Sequence, residues 1–376
     1  MKKFLKILKR IFIVVLVISV VLTGIAFVYM RQPKFGKLPA GERLAGIEKS
    51  ARYKSGSFHN VIEKPTIAEG YSILGEIYKT LFAENPRVQP VDAIPSIKID
   101  LQHLPPDSNM VVWFGHSSVF IQADGKTFLL DPVFSGTASP LPGSVKAFKG
   151  SDIYKAADMP MIDYLLISHD HYDHLDYETI LALKDKVKHV VCGLGVGAHF
   201  EYWGYPAAKI IEKDWYEKVT LEPKVTIYTN PTHHESGRGL TSSQSLWMSY
   251  LIQTPSMKIY YSGDGGYDTH FAEIGKKFGP VDLAILENGQ YDNAWHSVHL
   301  LPEETLKVAQ DVKAKRFLPV HNSKFVLAKH AWDEPLVKLT EINQRYKLNI
   351  ATPMIGEMLN LNDTNQTFKQ WWKNVK

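Results

Sequence analysis

The sequence predicts an α/β fold with helices on both sides of its sheets, behind an N-terminal apolar helix. Three observations carry this. From Met110 onward, apolar runs of strand length alternate with stretches of helical spacing. Ahead of them lies one uninterrupted apolar run, Ile11 to Met30. Behind one strand run stands a dense polar cluster, "ISHDHYDHLD" (167–176), at the kind of strand end where α/β sheets carry their sites.

The totals set the frame. The chain has 376 residues, 45% hydrophobic and 22% charged, enough for one large domain or two small ones and too apolar for disorder. The net charge of +4 is small and lies partly in the first ten residues, which argues against a nucleic-acid partner. One cysteine, Cys192, excludes an intrachain disulfide and reads as a buried, inert thiol.

The opening "MKKFLKILKR" is basic, and the charge-free run after it would span about 30 Å as a helix, one hydrocarbon core. A cleaved signal peptide is the rival reading, with Gly24-Ile25-Ala26 as a cleavage site. The run continues past that site, so an uncleaved anchor over residues 1–30 is favoured. The basic flank predicts a cytoplasmic N-terminus and an extracytoplasmic main domain, although Arg31, Lys34 and Lys37 on the far side oppose this.

Residues 31–105 read as a lead-in packed on a main domain of 106–376, with a helix expected from Tyr71 to Ala83. The stretch "VVWFGHSSVFIQADGKTFLLDP" predicts two strands around the turn Asp124-Gly125. A strand over 163–168 follows, then a helix over 176–186 that opens on Asp176 as N-cap. "HVVC" (189–192) is a strand before a short helix, and "SLWMSYLIQTPSMKIYYSGD" is a strand pair around Pro255-Ser256. A strand over 281–288, a helix over 302–314 with Pro at its start and a strand over 316–322 complete the order.

His169, His171, Asp173 and His174 sit on the loop between the strand "DYLLIS" and its helix. Imidazole suits zinc, a carboxylate adds hard oxygen ligation, and one loop offering H-x-H and D-H can serve two neighbouring ions. Metal coordination would also replace the solvation these groups lose behind an apolar strand. The bland alternative is a polar surface loop. A two-metal site needs further ligands at strand ends, and His234, Asp264 and His321 each follow an apolar β-type run.

These residues resemble the metallo-β-lactamase fold superfamily, and within it the branch of N-acylphosphatidylethanolamine-hydrolysing phospholipase D. The likeness covers roughly residues 105–360. It rests on "WFGHSS" (113–118), "LLDPVFSGTASP" (129–140), "ISHDHYDHLD" (167–176), "SGDGGY" (262–267), "EIGKKFGPVDLA" (273–284), "HLLPEET" (299–305) and "PVHNSKF" (319–325), with "YKSGSF" (53–58) in the lead-in. The resemblance implies an αββα sandwich holding two zinc ions at one edge. His169, His171 and His234 would bind one ion, Asp173, His174 and His321 the other, and Asp264 would bridge them. His234 is preferred to His233 because its offset from Pro231 matches the family's Pro-x-x-His. Asp131 and His116 would support ligands rather than touch metal. His299 matches a histidine near the substrate pocket, with a helix-entry residue as its alternative.

Three departures fall where substrate should sit. Glu235 and Asn322-Ser323 stand where the family commonly has Trp and Trp-Gly, and the segment 288–299 looks short. The implied activity is hydrolysis of a phosphodiester in N-acylphosphatidylethanolamine or a related phospholipid, with the bilayer as partner and a homodimer as an open option. A metallo-hydrolase of a lactone or sugar phosphate is the second reading, and a membrane-tethered zinc-binding module without catalysis the third. Gly193, Gly195 and Ala198, with Glu212 and Asp214 downstream, imitate a dinucleotide fingerprint but read as a glycine-rich turn. Trp371-Trp372 read as core residues or as a membrane contact.

Overall fold

The computed structural model describes residues 1–83 and 87–376. Helix α1 (Lys2–Tyr29) buries none of its residues and, at 28 residues, is about 42 Å long. It is long and apolar enough to cross a membrane. The lead-in follows as α2 (Gly41–Ile47), a hairpin of β1 (Tyr53–Lys54) and β2 (Ser57–Phe58), and α3 (Ile73–Phe82), where a helix was expected. Ile47 and Phe58 pack into the main core.

The first sheet holds β3 (Met110–Trp113), β4 (Val119–Ala123), β5 (Lys126–Leu130), β6 (Ile162–Ile167), β7 (Val187–Gly193) and β8 (Ile210–Lys213). Helices α4 (Tyr177–Leu183) and α5 (Gly197–Tyr202) connect its parallel strands. The second sheet holds β9 (Lys218–Glu222), β10 (Val225–Asn230), β11 (Ser249–Gln253), β12 (Lys258–Tyr261), β13 (Leu283–Glu287) and β14 (Phe317–Val320), with α6 (His270–Phe278), α7 (Pro302–Asp311) and α8 (Glu334–Tyr346). The last strand, β15 (Met358–Asn360), returns to the first sheet, giving the orders β15-β3-β4-β5-β6-β7-β8 and β14-β13-β12-β11-β10-β9.

Strand alternation builds four layers. Val119, Ile121, Phe128 and Leu166 face inward and meet Ile227, Ile252, Ile259 and Ile285 of the second sheet in one core. The alternate residues Phe120, Leu129, Leu165 and Val190 face outward and meet Ile180 and Leu183 of α4 and Phe200 of α5. On the far side Tyr260, Ala284 and Leu286 meet Phe271, Leu306 and Leu339 of α6, α7 and α8. Strands buried on both faces read as continuous apolar runs, which is why they stood out in the sequence.

Two expectations need correction, and two readings hold. The run 111–130 is three strands rather than two, because Phe114–Ser118 leaves the sheet and carries His116 in a left-handed conformation (φ 52°). Asp176 stands at the N-cap of α4 but caps no backbone amide there; its carboxylate accepts from the amides of Phe134 and Ser135 and from the Thr179 hydroxyl. Trp371 and Trp372 are buried, as their core reading has it. The glycine-rich turn after β7 is closed by the chain itself: Gly195 and Gly197 donate to Glu212, and a Cβ at Gly193 would strike the Leu246 carbonyl at 1.9 Å.

Phe271 is fully buried between α6 and the second sheet. Phe271→Ala should cost roughly 3–5 kcal/mol of stability through the cavity it leaves, read as a lower denaturation midpoint.

Candidate metal centre

Strand direction assembles the site. β3, β5 and β6 run parallel to one another in the first sheet, and β10, β12, β13 and β14 do so in the second. The polar residues come just beyond, or at, the C-terminal ends of these strands: His116, Asp131, the loop 169–174, His234, Asp264, Glu287 and His321. One edge of the sandwich therefore collects them from positions up to two hundred residues apart.

His169, His171 and His234 form one group. His171 Nδ1 lies 2.9 Å from His169 Nε2 and 3.3 Å from His234 Nε2. Asp173, His174 and His321 form the second, together with His116. Asp173 Oδ2 lies 3.4 Å from His174 Nε2 and 3.3 Å from His321 Nε2. Asp264 stands between the groups, its Oδ2 at 3.0 Å from His174 Nε2, 3.1 Å from His321 Nε2 and 4.0 Å from His234 Nε2. Its place depends on a tight turn, because a Cβ at Gly265 would lie 2.0 Å from the Thr232 hydroxyl.

The outer ring nitrogens are held, which aims the inner ones. Asp131 Oδ2 takes His174 Nδ1 at 2.7 Å and accepts from the Ser168 and Tyr261 hydroxyls, while its Oδ1 accepts from the Ser168 amide. His169 Nδ1 meets the Ser168 hydroxyl at 2.9 Å, and His234 Nδ1 donates to the Val298 carbonyl at 3.0 Å. Glu287 Oε1 lies 3.4 Å from His321 Nδ1 and also pairs with His299 Nδ1. Such carboxylate and carbonyl partners fix tautomer and ring direction in metal sites.

Three imidazole nitrogens converging at this distance cannot all be protonated. A cation would satisfy their lone pairs, with Asp173 and Asp264 as oxygen donors beside them, so the donor set fits a metal. Electrostatics agree. Burial, then the neighbouring histidines, hold His169 far below the usual histidine range. Burial also disfavours charge on His174 and His321, but their acidic neighbours together outweigh it, Asp264 and Asp173 for both, with Asp131 at His174 and Glu287 at His321, and His321 is raised to about 10. Burial would raise Asp264, yet His174 and His321 keep it well below the usual carboxylate range. The centre draws positive charge to the place where the two groups meet Asp264.

Every residue expected at the site lies in or beside it. His234 points inward, whereas His233 turns away towards Asp268 at 3.5 Å. His116 touches Asp173 at 2.9 Å, and backbone hydrogen bonds tie it to the strand end of His321. His299 lines the pocket over the centre with Thr66, Glu235, Gln290, Trp295 and Leu327. Of the departures, Glu235 faces this pocket and accepts from Thr66, but Asn322 does not: its amide is buried against Asn288 and Val320 carbonyls. Two residues were missed. Glu287 left a trace, a lone acid ending the apolar strand "LAILE". Asn60 of the lead-in left none, yet it holds both the amide and the carbonyl of His234.

The described fold agrees with known proteins. A model of the Beta-lactamase superfamily domain matches residues 126–322, and this chain belongs to that superfamily. An uncharacterized protein of Mycobacterium tuberculosis is 32% identical over 330 residues, covering 87% of this chain and 88% of its own length. An N-acyl-phosphatidylethanolamine-hydrolyzing phospholipase D of Caenorhabditis elegans is 31% identical over 249 residues, covering 61% of this chain and 68% of its own. A solved metallo hydrolase of Ignicoccus hospitalis shares the fold with a TM-score of 0.51 at 17% identity, covering 70% of this chain and 100% of that one. The chain is a metal-dependent hydrolase of the β-lactamase superfamily.

Two outcomes test the centre. His321, raised to about 10, favours its protonated form at pH 7, so a metal entering there must expel that proton. Metal titration should therefore release protons, seen as a buffer-dependent calorimetric heat, and affinity should fall as pH falls. Asp131→Asn should weaken metal binding roughly 10–100-fold in chelator competition, because His174 loses its orienting carboxylate.

Proposed function

We propose that this protein is a membrane-anchored hydrolase holding two zinc ions, cleaving a phosphodiester bond of N-acylphosphatidylethanolamine or a related phospholipid. The supporting observation is the seven-residue set around Asp264 with His299 above it, in a chain similar to a phospholipase D of that specificity. His169, His171 and His234 would hold one ion, Asp173, His174 and His321 the other, and Asp264 both. When bound, the pair supplies Lewis acidity towards a phosphoryl oxygen and lowers the pKa of water.

The chain's own groups supply the rest. Glu287 holds His299 at Nδ1, leaving Nε2 on the opposite side of the ring to give a proton to the leaving alkoxide. Glu287 couples this group to the centre, since it also faces His321 and accepts from the Gly265 amide beside Asp264. Trp295, Val298 and Leu327 give the pocket an apolar wall that limits water. The helix α1 would place this site at a lipid surface, with the bilayer as partner and the substrate at high local concentration.

Glu235 favours a second reading. A carboxylate on the pocket wall opposes a phosphate and suits a neutral ester such as a lactone. The full chain loaded with zinc, offered N-acylphosphatidylethanolamine in mixed micelles beside an acyl lactone and a phosphomonoester, separates the two. Release of N-acylethanolamine, lost in Asp264→Asn, supports the phospholipase; turnover of the lactone alone overturns it. His299→Ala should lower kcat by roughly 10²–10⁴-fold with little change in metal content. Glu287→Gln should lower it less, by about 10–100-fold.

A further inference from the structure

Helix α3 is turned inside out. Five of its large apolar residues recur at helical spacing and point to solvent: Ile73 is 65% exposed, Leu74 80%, Ile77 49%, Tyr78 65% and Phe82 69%. Among the described side chains the one it buries is a carboxylate, Glu76, which pairs with Lys329 and accepts from Lys79. A soluble helix does the reverse, and a contiguous apolar face of this kind marks a surface that something covers.

Its position indicates what covers it. Lys329 also lies over the Trp295 ring at 5.0 Å, and Trp295 and Leu327 line the metal pocket. So α3 is moored at one rim of that pocket. The foot of α1 packs beside the histidine loop. Tyr29 donates to the Pro140 carbonyl, Phe35 meets the ring of Tyr172 at 6.2 Å, and Arg238 donates to the Lys34 carbonyl. Tyr172 lies in the chain between His171 and Asp173. Around this foot Leu141 and Leu240 also stand exposed, the latter beside Gly239, which approaches Met30. Apolar elements thus stand by both the pocket lining and the histidine loop, and one of them is long enough to span a membrane. Aromatic residues such as Tyr78 and Phe82 suit the boundary between headgroups and acyl chains.

We propose that α3 lies in the bilayer surface with this face among the acyl chains, so that the metal pocket opens at the membrane and receives a lipid from it. The proposal rests on reading α1 as a membrane span, and not on which bond is cleaved.

Cys192 is the sole cysteine and is buried, so single labels can be introduced cleanly. An environment-sensitive fluorophore is placed at Leu74→Cys, at Tyr78→Cys and, as control, at Leu221→Cys. Leu221 precedes the β9–β10 turn, at the sandwich edge opposite the metal centre. The full chain is reconstituted into phosphatidylcholine–phosphatidylglycerol vesicles carrying a nitroxide high on the acyl chain. Labels at 74 and 78 should shift to the blue and lose most of their emission to the nitroxide lipid, while the label at 221 keeps its own. Unquenched labels at 74 and 78 overturn the proposal. So does cross-linking between copies through these cysteines without lipid quenching, which would make a second chain the cover. Quenching without lipid hydrolysis would keep the interfacial helix and reject the phospholipase; hydrolysis without quenching would do the opposite.

Discussion

Five imidazoles and two carboxylates share one buried edge of the sandwich, and the mutual repulsion of their lone pairs is the constraint around which the structure is arranged. Each group would lose heavily by burial alone. Oxygens fix the outer nitrogens, and a bound cation would satisfy the inner ones. Asp131 illustrates the arrangement. It is wholly buried, sits in a left-handed conformation (φ 39°), and takes hydrogen bonds from Ser168, His174 and Tyr261. One carboxylate thus ties the first sheet, the histidine loop and the second sheet to a single ligand direction.

The backbone is strained in the same place. His116 and His321 also have positive φ, and their two segments hydrogen-bond to each other across the sheets. Such conformations cost about 1–3 kcal/mol each and persist where surrounding packing over-determines them. That packing is supplied by the four layers, and also by the lead-in and the C-terminal segment. Ile47 and Phe58 of the lead-in and Trp371 and Trp372 of the C-terminus complete the inner core. Asn60 reaches from the lead-in to hold His234 at both its backbone groups. The lead-in is therefore part of the centre's support.

Substrate selection lies in a different set of residues. The ligands come from strand ends, whereas Thr66, Glu235, Trp295 and Leu327 come from connecting segments over the pocket. Segments of this kind change without disturbing the sandwich, which is how one metal centre can serve many substrates. The Glu235 carboxylate and the apolar wall pull in opposite directions, towards a neutral reacting group and towards a lipid body.

The sequence by itself determined the α/β order, the long apolar N-terminal helix and the histidine loop, because each is written in neighbouring residues. Apolar runs of strand length, helical spacing and H-x-H-x-D-H are local patterns. It also marked His234, Asp264 and His321, since each follows an apolar run and the family resemblance names the offsets. Tertiary structure alone decided the rest. Glu287 matters because two histidines, His299 and His321, meet at its carboxylate. Asn322 left the pocket wall and Glu235 stayed on it for reasons set by distant carbonyls and by Thr66. The outward turn of α3 depends on Lys329, over two hundred and fifty residues away, drawing Glu76 inward. Periodicity states that a helix has an apolar face; only the partner across the fold determines which way that face looks.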